Sequence, residues 1–133
     1  MFGILMASMM TLAQAEAPTC GKTHAKVGQT ATFSNLQHKV GGKATIIDDC
    51  TLEIKNFTYD GQGIDVRIYG AVGKTFDRGF PMTGDLVRSK PYQGETLKAK
   101  LPKGKTWDDV THLSVWCVDF SVDFGNGVLR NAS

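Results

Sequence analysis

The sequence predicts an all-β fold: a single compact β-sandwich or barrel of about eight short, mostly antiparallel strands, with one short helical turn. Three observations predict it. Apolar and polar residues alternate with period two through much of the chain, as they do on a half-covered strand. Clusters of Gly, Asp, Asn and Pro interrupt that alternation at short intervals. No helix-period segments lie between the strand segments, which argues against a parallel sheet with crossover helices.

Taken in order, the expected strands cover 27–33, 36–40, 44–48, 51–57, 64–69, 96–101, 113–118 and 120–124. In Leu52-Glu-Ile-Lys55 the apolar pair points inward and the charges outward. Ile64, Val66 and Ile68 do the same against Asp65 and Arg67, as do Leu97, Ala99 and Leu101 against Lys98 and Lys100. Turns are expected at Gly41-Gly42, Asp48-Asp49, Tyr59-Asp-Gly-Gln-Gly63 and Pro102-Lys-Gly104. The helical turn is Thr106-Trp-Asp-Asp109, with capping-box spacing and acids in the first turn, where the helix dipole favours them.

A chain of 133 residues is one domain with room for a core. Its net charge of +2 indicates no polyanion, so no nucleic-acid partner is expected. Lys98, Lys100, Lys103 and Lys105 have the spacing of a solvated strand face and its turn. Residues 1–15 have the pattern of a secretory signal: apolar and uncharged to Leu12, then the small-x-small site Ala13-Gln-Ala15. That apolar run is too short to span a bilayer, so no transmembrane segment is expected. Ala17-Pro18-Thr19 before Cys20 is a poor lipobox. The expected organisation is a signal over 1–15 and one domain over 16–133, secreted or periplasmic.

Export changes the reading of the three cysteines, Cys20, Cys50 and Cys117. Oxidising compartments favour disulfides, and three thiols allow one bridge and one leftover, in any of three pairings. A Cys20–Cys50 bridge would tether the mature N-terminus and close a loop worth roughly 3–4 kcal/mol in chain entropy. Cys50–Cys117 is the rival.

Chemistry of other kinds finds little support. His24, His38 and His112 are scattered, with no nucleophile elbow, so no hydrolytic triad is signalled. His38 falls in a strand-like alternation as a partnered wall residue, and His112 falls in an exposed turn. There is no zinc- or haem-type spacing and no phosphate loop, so neither a metal nor a cofactor is implied. Asp48, Asp49, Asp60, Asp108, Asp109, Asp119 and Asp123 have the positions of turn aspartates that hydrogen-bond nearby backbone, with calcium ligation the competing use. Trp107, Trp116, Phe57, Tyr59, Tyr69 and Tyr92 serve either as core or as a polymer-binding platform. Asn56-Phe-Thr58 and Asn131-Ala-Ser133 are glycosylation sequons, meaningful in a eukaryotic secretory pathway, with Asn56 expected at a strand end.

Three blocks are more specific: Ile47-Asp-Asp-Cys-Thr-Leu-Glu-Ile-Lys-Asn-Phe-Thr-Tyr-Asp-Gly61, Leu101-Pro-Lys-Gly-Lys-Thr-Trp-Asp-Asp-Val110 and Leu113-Ser-Val-Trp-Cys-Val-Asp-Phe-Ser-Val-Asp-Phe-Gly125. In this order they resemble the DM-thirteen domain of Skeletor-like proteins, an extracellular module often joined to DOMON and cytochrome domains. The likeness covers roughly 27–129. It implies an electron-transfer or redox domain with Cys117 as the redox-active residue. Cys50 matches a position often occupied by other residues in Skeletor-like members, so the resemblance favours pairing it with the equally extra Cys20. Two positions depart from the pattern: Ile64 stands where proline is common, and Asn126-Gly127 replaces a Gly-His-Val-like ending. No DOMON or cytochrome segment lies within these residues, so the resemblance implies a redox partner on another chain.

Two functions follow as expectations. One is a redox module without its own cofactor or catalytic set, using Cys117. Trp116, on the opposite strand face, would pack the strand in place. No Lys, Arg or His adjoins Cys117 in sequence to stabilise a thiolate, and Asp119, two residues on, would share its face. The other is a non-catalytic extracellular binding module in which Cys117 is a core residue.

Overall fold

A computed structural model describes residues 20–132. The expected signal over 1–15 lies outside them. The described chain is a β-sandwich: one sheet in the order β1-β2-β3-β6, the other in the order β5-β4-β7-β8, with all neighbouring strands antiparallel. The strands are β1 (Thr30–Thr32), β2 (Gly41–Ile46), β3 (Thr51–Tyr59), β4 (Val66–Ala71), β5 (Phe80–Pro81), β6 (Tyr92–Lys100), β7 (His112–Cys117) and β8 (Val122–Val128). Two 3-10 turns, Phe76–Arg78 and Trp107–Asp109, complete the secondary structure. Among the described residues no helix is long and apolar enough to cross a membrane.

The period-two rule places the core. Ala44, Ile46, Leu52, Ile54, Phe57 and Tyr59 face inward from the first sheet, and Val66, Ile68, Leu113, Val115, Cys117 and Phe124 from the second. The other parity of the second sheet builds a small outer cluster, in which Trp116 packs on Ala71 and Phe76. Both faces of β7 are therefore covered, as the doubled alternation around Cys117 predicts.

The capping box also forms. The Thr106 hydroxyl accepts from the Asp108 N–H, the Asp109 carboxylate accepts from the Thr106 N–H, and Trp107 is fully buried. Asp48 and Asp60 likewise cap backbone N–H groups two residues on, the ordinary work of turn aspartates. The lysine run is the solvated face expected: Lys98 approaches Glu53, and Lys100 donates to Thr51.

Several expectations need correction. Segment 36–40 is a turn because two consecutive residues, His38 (φ 62) and Lys39 (φ 59), are left-handed and reverse the chain. Phe120 is 64% exposed in the β7–β8 turn, and β8 begins only at Val122. Asp65 (φ 51) breaks the expected strand start, so Ile64 points out at 54% exposure and β4 begins at Val66. Asp119 does not share the inward face of Cys117, because β7 ends at Cys117 and Asp119 lies in the exposed turn beyond it. Asn56 is not at a strand end. It is exposed within β3 at a register shift and takes φ 55, a conformation asparagine tolerates.

One edge of the sandwich is closed by the chain itself. Thr30 and Arg130 form a bridge, and residues 34–37 run along β8, with Ser34 N–H donating to Asn126 and Leu36 N–H to Phe124. This approach requires Gly125 and Gly127: a Cβ at Gly125 would run into the Ser34 carbonyl, and one at Gly127 would lie 2.7 Å from the Thr32 carbonyl.

Candidate functional site around Cys117

Cys117 closes β7, paired with Val66 on one side and Val122 on the other. Strand parity turns its side chain into the core, where the residue is 1% exposed. The S–H donates to the Ile64 carbonyl at 3.4 Å. Cys20 and Cys50 form a disulfide with Cα atoms 6.0 Å apart, so Cys117 is the free thiol among the described residues.

The thiol's hydrogen-bond partner belongs to the 60–65 segment, whose sequence explains its shape. Gly61 (φ 81), Gly63 (φ 121) and Asp65 (φ 51) take left-handed conformations, making a tight irregular loop instead of a strand extension. The loop is anchored at each end. Tyr59 donates its hydroxyl hydrogen to the Gln62 carbonyl, Asp60 accepts from Gln62 N–H at 2.9 Å, and Val118 N–H donates to the Asp65 carbonyl at 2.9 Å. Arg88 N–H adds a bond to the Gly61 carbonyl, and Asp65 pairs with Arg67 at 2.6 Å.

An aromatic cluster lies beside this loop. Tyr59 stacks on Tyr92 with centroids 5.8 Å apart and also meets Phe57 and Phe124. His38 packs on Phe124 at 4.1 Å while its Nδ1 bonds the Asp60 carboxylate. The Arg88 guanidinium lies 3.5 Å over the Tyr92 ring and pairs with Glu95. Burial first, then the Asp60 and Asp85 carboxylates, push the Tyr59 phenol well above its ordinary value, so it stays a neutral donor. Outside this cluster is an open cleft of about 620 Å³ bordered by Tyr59, Asp60, Tyr92, Gln93 and Lys39.

The structure therefore brings Tyr59, Asp60, His38 and the loop around Cys117, and leaves the other candidates apart. Trp116 points to the opposite face, as expected, with Tyr69 and Phe76 at 6.2 and 5.8 Å. His24 is held between the Lys26 N–H and Asp108. His112 is half-buried at the start of β7, not exposed in a turn. Trp107, Phe57, Tyr59, Tyr92 and Trp116 are buried and Tyr69 half-buried, so the aromatics make a core and not an open platform. Among the described residues the one grouping with metal-ligand proximity is Cys20, Asp48 and Cys50, and its two sulfurs are bonded to each other. Sequence reasoning missed the loop that bonds Cys117. The paired glycines in Tyr59-Asp-Gly-Gln-Gly63 were its signal, but they marked a turn without saying what lay beneath it.

Comparison with known proteins fits this geometry to a family. Residues 32–129 match the model of the electron-transfer DM13 domain, the DM-thirteen of the sequence resemblance. A cytochrome b561, DM13 and DOMON domain-containing protein of Arabidopsis thaliana is 29% identical over 118 residues, covering 86% of this chain and 13% of the relative. Protein Skeletor, isoforms B/C, of Drosophila melanogaster is 30% identical over 138 residues, covering 95% of this chain and 16% of the relative. The chain thus spans a small fraction of the length of these relatives. No solved structure matches. With the family match running from the last residue of β1 through all seven strands β2 to β8, this chain belongs to the electron-transfer DM13 family.

Proposed function

We propose that this chain is an exported redox module whose working group is the Cys117 thiol, sheltered by the 60–65 loop and reached when that loop lifts. One observation carries the reading: the free thiol, at the end of β7, donates to a carbonyl of an irregular loop. Loops with few ladder bonds open at lower free energy than core strands. Opening withdraws the Ile64 carbonyl and admits water, to which the thiol loses its proton. The thiolate then attacks a disulfide sulfur of a partner protein. A new S–S bond forms, the partner's S–S bond breaks, and the departing sulfur leaves with the bonding pair as a thiolate that water reprotonates. The Arabidopsis relative, whose name couples DM13 with cytochrome b561 and DOMON, supports redox company of that kind on another chain. The disulfide supports an oxidising compartment, and with the 1–15 pattern it supports export.

A second reading has its own observation. The sulfur is buried among core residues and donates to a carbonyl, as a small core side chain does. Cys117 is then structural, and the chain is a non-catalytic extracellular binding module. Alkylation kinetics separate the two. Under the redox reading, Cys117 is labelled far faster than the protein unfolds globally, and exchange with a small aromatic disulfide disappears in Cys117→Ser. Labelling that tracks global unfolding across a urea series assigns Cys117 to the core.

A further inference from the structure

At the edge of the sandwich, away from Cys117, lies a cleft of about 380 Å³ bordered by Lys74, His112, Arg130, Thr32, Asn126, Gly127 and Val128. We propose that this cleft binds a small oxyanion, a phosphate or sulfate group, held between Lys74, Arg130 and the imidazole of His112.

Three independent features support it. First, the cationic side chains are mounted on fixed backbone. Arg130 exchanges both backbone hydrogen bonds with Thr30, at 2.8 and 2.9 Å. The Lys74 loop is tied by Gly73 N–H donating to the Thr111 hydroxyl at 2.7 Å and by Thr75 donating to the Val72 carbonyl at 2.8 Å.

Second, a relay orients the histidine. Thr111 accepts from Gly73 and lies 2.8 Å from His112 Nδ1, so one ring nitrogen is tied to the Thr111 hydroxyl and the ring's position is fixed.

Third, the charge is unbalanced. None of the ion pairs among the described residues involves Lys74 or Arg130, nor Lys43, which shares an adjoining hollow with Arg130. The nearest carboxylate along β8, Asp123, is already engaged by Ser114, Gly125 and Asn126. Burial first, then Lys74 and Arg130, hold the His112 imidazole below its ordinary value, and a dianion there would face both cations and the ring.

The test is a proton NMR titration of His112 in inorganic phosphate, inorganic sulfate, acetate and chloride at matched ionic strength. Phosphate and sulfate are expected to raise its titration midpoint saturably, and chloride to leave it in place. An equal response to acetate would show a carboxylate site and overturn the tetrahedral assignment. Lys74→Ala and Arg130→Ala each weaken phosphate binding about three- to fivefold, as loss of one partly exposed charge contact does. Lys55→Ala, on the other sheet, leaves it unchanged. Identical midpoints in phosphate and chloride, or equal weakening by Lys55→Ala, would reduce the effect to general screening and overturn the proposal. Both side chains are exposed, so the variants fold, and the wild-type anion series stands without them.

Discussion

The Cys117 thiol donates to the backbone carbonyl of Ile64 at 3.4 Å, while the Ile64 side chain stands 54% exposed. The same residue therefore meets the sulfur with its backbone and offers solvent an apolar side chain. A thiol is a weak donor, so this bond adds little to what holds the loop. The stronger anchors are the Tyr59 hydroxyl on Gln62, the Asp60 cap and the Val118 bond to Asp65. Under the proposed redox function, access to the sulfur depends on those anchors more than on any property of the cysteine.

The Cys20–Cys50 bridge fastens a segment that lies largely before the family match. Asp49 caps Thr23 and His24 there, and the Lys26 ammonium donates to the Trp107 and Val110 carbonyls. Replacing both cysteines by serine is expected to lower unfolding free energy by about 3–4 kcal/mol, chiefly by freeing the unfolded chain. Urea denaturation measures it. A midpoint equal to that of the wild type would show that the bridge does not constrain the unfolded ensemble.

Gly125 is where the 34–37 segment crosses β8, and a methyl group there meets backbone that has no flexible end to move. Gly125→Ala is expected to cost about 1–3 kcal/mol as overpacking. Gly84→Ala, which meets open space without a positive φ, should stay within about 0.5 kcal/mol of wild type. Thermal melts of the two variants check the contrast, and equal melts would mean that the crossing yields at no cost.

His112 gives stability a pH dependence of definite sign. Its folded-state value lies below the ordinary 6.5 that the unfolded chain keeps, so near that pH the unfolded state binds more protons. Its contribution is complete above pH 6.5 and is lost as pH falls toward the lowered folded value. In His112→Asn, whose side-chain oxygen can still accept from Thr111, that component of the acid-side slope should vanish. Urea midpoints at several pH values between 5 and 7.5, compared between the two proteins, test this. Parallel curves would remove His112 as the source.

Much of the fold was legible because burial in a sandwich follows local alternation. Leu52-Glu-Ile-Lys55 and the doubled run around Cys117 read correctly, and so did Thr106 as a capping residue. The misreadings share one cause. His38, Lys39, Asp65 and Asn56 adopt left-handed backbone that their residue types permit but do not demand, and tertiary contacts select it. Asp60, for example, holds the His38 ring across more than twenty residues of chain. The short β5 and the Phe76–Arg78 turn carry too few residues for any period to show. The candidate site was half legible. Cys117 stood out, and its opposition to Trp116 followed from parity, but the neighbouring Tyr59, Asp60, Gln62 and Ile64 did not.

By itself the sequence determined that this chain is a sandwich or barrel of short strands, that Cys117 and Trp116 take opposite strand faces, and that the family is a redox one. Those properties depend on period two and on short motifs, both local. Only the tertiary structure decided that Cys20 takes Cys50, that a loop carbonyl meets the remaining thiol, and that Lys74, His112 and Arg130 share one cleft. Each of these brings together residues far apart in the chain, and such meetings depend on how the two sheets pack, which no local pattern records.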